Sequence, residues 1–160
     1  MAVDMFMKIA GVAGESKDKD HKGEIDVLAW SWGASQSGTT HEGFGGGVGK
    51  ANFQDISFTK YVDKGSPVLF TKLAKGSHLT DATLVVRKAG GTPIEYLKIT
   101  MTEVLVSAIS TGGSGGEDRL TENVTLNFAK FDLEYIQQKD DGTPDAPVIA
   151  KWDIPANAEA

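Results

Sequence analysis

Two stretches of this chain carry residue types that could do chemistry. The first, HEGFGGGVGKANF at residues 41–53, sets five glycines ahead of Lys50. A phosphate loop of the form G-x-x-x-x-G-K-[ST] uses backbone amides to cradle the anion and its hydroxyl to hold Mg²⁺. Aligned on Gly49 and Lys50, this stretch has Phe44 in the first position and Ala51 in place of the hydroxyl. The residues that follow have strand composition, whereas anion binding needs a helix N-terminus there. The dinucleotide pattern fails as well, because Gly43-x-Gly45 is followed by Val48 where the third glycine belongs. The glycines instead make a loop whose small side chains let another surface approach its backbone closely.

The second stretch, GGSGG at residues 112–116, matches G-x-S-x-G around Ser114. A nucleophile elbow continues into a helix and has an acid and then a histidine later in the chain. Here a strand follows, and the last histidine, His78, precedes the serine. His21, His41 and His78 remain formal candidates for a base, since triads occur in other orders. Each lies in or beside a loop with no clear carboxylate to orient it, so surface histidines are expected. Glu117 and Asp118 beside Arg119 could do acid–base work, but a self-satisfied charged loop is commoner. Asp18-x-Asp20-x-Lys22-Gly23 resembles the start of a calcium loop, yet Lys22 replaces a ligand and Ala29 stands where a bidentate Glu is required. A polar, solvated turn is expected there, with no metal and no cofactor. Asn123-Val124-Thr125 is a formal glycosylation sequon, irrelevant if the host is bacterial. No catalytic constellation survives, and the chain reads as a non-enzyme.

The elements that would position these residues are mostly strands. The 160 residues fit a single domain, 1–160, with enough chain for a sizeable core. Sixteen basic against 22 acidic residues give a net charge of −6, which opposes binding to nucleic acid. There is no cysteine, and no apolar run nears the roughly 20 residues that span a bilayer. Near the N-terminus, Val3, Met5, Met7 and Ile9 alternate with polar residues as in a half-buried strand, and Asp4 and Lys8 break any secretion leader. In EIDVLAWSWG, Leu28, Trp30 and Trp32 share one face, expected to be core. Ile25, Val27, Ala29 and Ser31 share the other, whose Ser31 end is expected to meet water or a partner. Ile56 and Phe58 alternate with Ser57 and Thr59 in the next strand.

One helix is expected over SPVLFTKLAKG, with Ser66 as N-cap, Pro67 in the first turn, Gly76 closing the end and Leu69, Phe70 and Leu73 facing a sheet. Two long strands are joined by Ala-Gly-Gly-Thr-Pro, and the second is long enough that it must coil or bend. The next strand changes inward phase from Val124, Leu126 and Phe128 to Phe131, Leu133 and Tyr135, as a bulge near Ala129 would produce. A last strand sets Val148, Ala150, Trp152 and Ile154 on one face. The sum is a mainly β architecture, an antiparallel barrel or two packed sheets with one short helix. Its strand borders must be paired, covered or charged, and unlike borders pairing between copies close into rings or run into filaments.

GESKDKDHKGEIDVLAWSWG, DISFTKYVDK, RKAGG and EYLKITMTEVLVSAISTGGSGGEDRLTENVTLNF resemble the haemolysin-coregulated protein (Hcp) family, the inner-tube proteins of the bacterial type VI secretion machine. The resemblance runs over nearly the whole chain and is strongest from Glu95 to Phe128. It implies two antiparallel sheets forming a β-barrel with one helix beside it, similar to phage tail-tube proteins. It implies a homohexameric ring, stacked into a tube inside a contractile sheath and fired with a spike protein. Effector proteins would ride in the lumen. Residence in the cytoplasm before firing, and secretion without a cleaved leader, follow from the same likeness. Within it, Ser31 is expected to face the lumen and its cargo. Thr40, His41, Glu42, Phe44 and Lys50 are expected in a ring-stacking loop, and Glu117, Asp118 and Arg119 at a subunit contact. The competing expectation is a monomeric β-sandwich that binds carbohydrate, which needs an exposed aromatic cluster. Only Phe44 lies in a clear loop.

Overall fold

The computed structural model describes residues 2–38 and 49–160. Its strands are β1 (Val3–Ile9), β2 (Ile25–Ser31), β3 (Ala34–Ser35), β4 (Asn52–Phe53), β5 (Ile56–Tyr61), β6 (His78–Lys88), β7 (Glu95–Thr111), β8 (Thr121–Tyr135), β9 (Val148–Asp153) and β10 (Ala158–Glu159), with one helix, α1 (Ser66–Lys75). The main sheet runs β10-β9-β8-β5-β2-β1-β6-β7, and β7 also pairs with β8. That last pairing, from Leu97↔Tyr135 to Thr111↔Glu122, closes six of the strands into an antiparallel barrel. β9 and β10 extend outward from the far half of β8. The expected mainly β barrel with one short helix is therefore the fold.

The barrel fills with inward residues of its six strands, among them Met7, Ile25, Ile56, Phe58, Leu84, Ile99, Met101, Val124 and Leu126. Strand β2 departs from its expected face. Its pairing with β5 shifts register between Val27 and Ala29, so Leu28 is the extra residue of a β-bulge and is 39% exposed. A bulge reverses which side points in. Ile25 and Val27 are core, and beyond the bulge Trp30 and Trp32 turn toward it while Ala29 and Ser31 are exposed.

Strand β8 does change phase between Phe128 and Phe131, but without an extra residue. Pairing steps from Val104↔Phe128 to Thr102↔Lys130, skipping one residue on each strand. The distortion sits on the opposite strand, β7, where Glu103 has φ +56°. A further register shift at Ser107 bends the 17-residue β7 as its length required. Both Phe128 and Phe131 thereby point at Trp32, their rings 5.9 and 4.9 Å from its own.

The helix begins one residue earlier than expected. Gly65, not Ser66, is the N-cap, and no side chain caps it, because the Ser66 hydroxyl is buried in a polar cluster. Gly76 does close the helix in the left-handed conformation, with Gly76 N–H to Leu73 O and Ser77 N–H to Lys72 O. Leu69 is buried and Leu73 packs on the core, whereas Phe70 is 40% exposed. On β9, Trp152 and the following Ile154 pack inward, while Val148 (71% exposed) and Ala150 meet solvent at the open end of the strand.

Candidate functional site

Ser31 ends β2 on the outer side of the barrel, and pairing carries its row across four strands: Ser31↔Ser57↔Thr125↔Ala108. The neighbouring row is Ala29↔Thr59↔Asn123↔Ser110. These side chains alternate with Ile56, Phe58, Val124 and Leu126, whose burial in the core forces their neighbours outward. The result is a face of small, uncharged, hydrogen-bonding groups. Ser57 and Thr125 hydroxyls lie 3.1 Å apart, and Thr59 Oγ1 donates to Asn123 Oδ1 at 2.6 Å. At one end Asp55 accepts from Ser107 Oγ at 2.8 Å and from Asn127 Nδ2 at 2.9 Å, so its charge is held by two donors. Hydroxyls that can donate or accept suit varied polar partners, with no fixed charge to select a sign.

Thr40, His41, Glu42 and Phe44 lie outside the described residues, and Lys50, just beyond them, is exposed. Glu117, Asp118 and Arg119 sit together in an exposed loop. This loop is not self-satisfied, since among the described residues no ion pair joins Arg119 to either carboxylate. Arg119 instead lays its guanidinium over the Tyr61 ring, 3.7 Å from the centroid. Ser114 lines a shallow cleft with Ser110, Thr111, Glu117, Thr121 and Asn123, and among the described residues no histidine lines it. The aromatic residues Trp32, Phe53, Phe128 and Phe131 form one internal cluster. Among the described residues no group of three or more His, Asp or Glu side chains could hold a metal, and no helix is long and apolar enough to cross a membrane.

Two charged clusters escaped the sequence reading. In the first, Lys60 and Glu122 oppose one another on β5 and β8, both side chains fully buried. Lys60 Nζ has three N–H groups and four acceptors within reach: Glu122 Oε1 (2.6 Å), Tyr61 O (2.8 Å), Asp63 Oδ1 (3.0 Å) and Ser66 Oγ (3.1 Å). Ser66 Oγ in turn donates to Glu122 Oε1 at 2.5 Å. Helix α1 is thus tied to the barrel wall by its first residue. A signal existed: alternation from Ile56 and Phe58 puts Lys60 in an inward position, and Val124 does the same for Glu122.

The second cluster corrects both the solvated turn and the surface histidine. Loop 14–24 lies back on the barrel with Ser16 and His21 buried. Its root closes through Gly14 N–H to Gly23 O (2.8 Å) and Ser16 N–H to Glu24 O (2.9 Å). A Cβ at Gly14 would collide with the Glu24 carbonyl, so only glycine fits that crossing. His21 stacks on Phe6 at 4.3 Å, with Nδ1 3.0 Å from Glu24 Oε2 and Nε2 2.6 Å from Glu95 Oε1. Arg87 also lies over the Phe6 ring, 5.1 Å from its centroid, and donates to Asp18 Oδ2 at 2.5 Å and Asp4 Oδ2 at 3.1 Å. The hydrogen bond from Arg87 holds the Asp18 carboxyl well below the usual carboxylate range. Burial pushes the Asp26 carboxyl up, against a hydrogen bond from Ser16.

The family described as "Type VI secretion system effector, Hcp" matches residues 6–135. Protein hcp1 of Pseudomonas aeruginosa strain PAO1 is 62% identical, with 100% of each chain covered. The crystal structure of Hcp1 from Salmonella typhimurium, 37% identical, superposes with a TM-score of 0.82 over 100% of both chains. A type VI secretion system effector from Yersinia pestis, 36% identical, gives 0.78 over 94% of this chain and 100% of its own. This barrel, with its outward polar face and single helix, belongs to the Hcp family of type VI secretion system proteins.

Proposed function

We propose that the chain is the structural subunit of a type VI inner tube: six copies close into a ring, rings stack, and effector proteins travel in the bore. The observation that carries this reading is the uncharged four-strand face centred on Ser31, Ser57, Thr125 and Asn123, on a chain of this family. Such a face wets easily, carries only the carboxylate of Asp55 at its end, held by two donors, and suits the inner wall of a conduit. Ser31 then meets cargo. Thr40, His41, Glu42, Phe44 and Lys50 contact the next ring, and Glu117, Asp118 and Arg119 contact the neighbouring subunit. The spike and the contractile sheath complete the partners. In this reading the protein waits in the cytoplasm and is expelled with the tube, a role that rests on assembly rather than on catalysis.

Native mass and negative-stain electron microscopy of the purified protein test the assembly. The expected result is a sixfold mass and annular particles. A strict monomer at high micromolar concentration would overturn it.

A further inference from the structure

The tip of loop 14–24 is fixed at two points of different chemistry. At one, Asp18 and Asp20 of the loop, with Asp4 of β1, surround Arg87 of β6. At the other, His21 stands between Glu24 of the loop and Glu95 at the start of β7, its ring flat on Phe6 of β1. A carboxylate only accepts, so both contacts are hydrogen bonds only when the imidazole carries a proton on each nitrogen. The neutral ring has one N–H and leaves one carboxylate facing a lone pair at hydrogen-bond distance. Of the other ionisable groups on and beside this loop, Lys17, Lys19 and Lys22 are exposed, Glu15 accepts from the Lys64 N–H, and Asp26 of β2 meets Ser16 rather than the ring.

We propose that His21 is a proton-operated latch, pinning the tip of loop 14–24 over Phe6 while doubly protonated and releasing that end when one proton leaves. The Arg87 end stays fastened throughout, because Asp18 remains ionised far into acid. The loop then swings about its Arg87 anchor and its Gly14–Gly23 root. The closed form belongs to the lower pH and the open form to the higher. Opening bares Phe6, which is otherwise buried with only 4% of its surface accessible.

Amide hydrogen exchange of the intact protein between about pH 5.5 and about pH 8.5 tests the latch, with intrinsic exchange rates divided out. Protection of the Glu24 amide, which donates to His21 O, is expected to fall about tenfold relative to β6 and β7 as pH rises, the loss of one charge-assisted hydrogen bond. In Glu95→Gln the side-chain amide accepts from an N–H or donates to a bare nitrogen, so the loop stays closed and its profile is flat. Glu24→Gln reads the same effect from the other ring nitrogen. Loop protection that tracks the barrel at every pH in the wild-type protein would overturn the proposal. So would an undiminished pH dependence in both glutamine variants.

Discussion

Lys60 and Glu122 share no solvent, and the attraction between them is answered by the cost of stripping water from two ions. The pair's value is therefore best read by breaking it. Glu122→Leu leaves a buried ammonium short of a carboxylate and is expected to cost about 3 kcal/mol or more in urea unfolding. Joining it to Lys60→Met should recover most of that loss. Asp18 gives a pH reading of the opposite kind to the latch. Its folded-state carboxyl is depressed, so its contribution to stability is complete above the ordinary carboxylate range and disappears as pH falls below it. Asp18→Asn should thus melt below the wild type at neutral pH, and the two should converge in strong acid. Neither cluster was legible in order along the chain, since Lys60 meets Glu122 from 62 residues away and His21 meets Glu95 from 74. The exposed Ser31 was legible, because small polar residues on an alternating strand have one place to go once their neighbours are core.

Alternation located nearly every strand, and it failed where the period itself was broken. The bulge at Leu28 exchanged the faces of β2 in mid-strand, and nothing in EIDVLAWSWG marks the extra residue. At β8 the phase change was visible in Phe128 and Phe131, while its cause, the positive φ of Glu103, lies on a different strand. The helix end was plain because Gly76 at φ +61° follows lysines in the last turn. Gly76→Ala puts a Cβ in that left-handed position and is expected to lower stability by about 1 kcal/mol, seen as a reduced melting temperature. Gly115, with no positive φ and open space around it, serves as the control, and Gly115→Ala should change stability by less than about 0.5 kcal/mol.

For the molecule as a whole, the barrel closes by pairing β7 with β8, which takes in neither β9 nor β10. A chain ending after Gln138 should still form the closed barrel, shown by an unchanged strand signal in circular dichroism and a cooperative melt. It loses Trp152 and Ile154 from the core cluster and is expected to be weaker by about 3 kcal/mol or more. That a barrel or a sandwich would form was readable from strand number and hairpin spacing. The choice between them depended on one ladder between β7 and β8, whose register is set by packing rather than by local pattern. Strand order also decides how the molecule answers a pull on its ends. The final strand, β10, hangs on a border by two residue pairs, whereas β1 is clasped on both sides by β2 and β6. Tension applied between the termini should peel the tail away rung by rung at low force, then stall at the cylinder. An optical trap would record this as an early, shallow extension followed by one abrupt rupture.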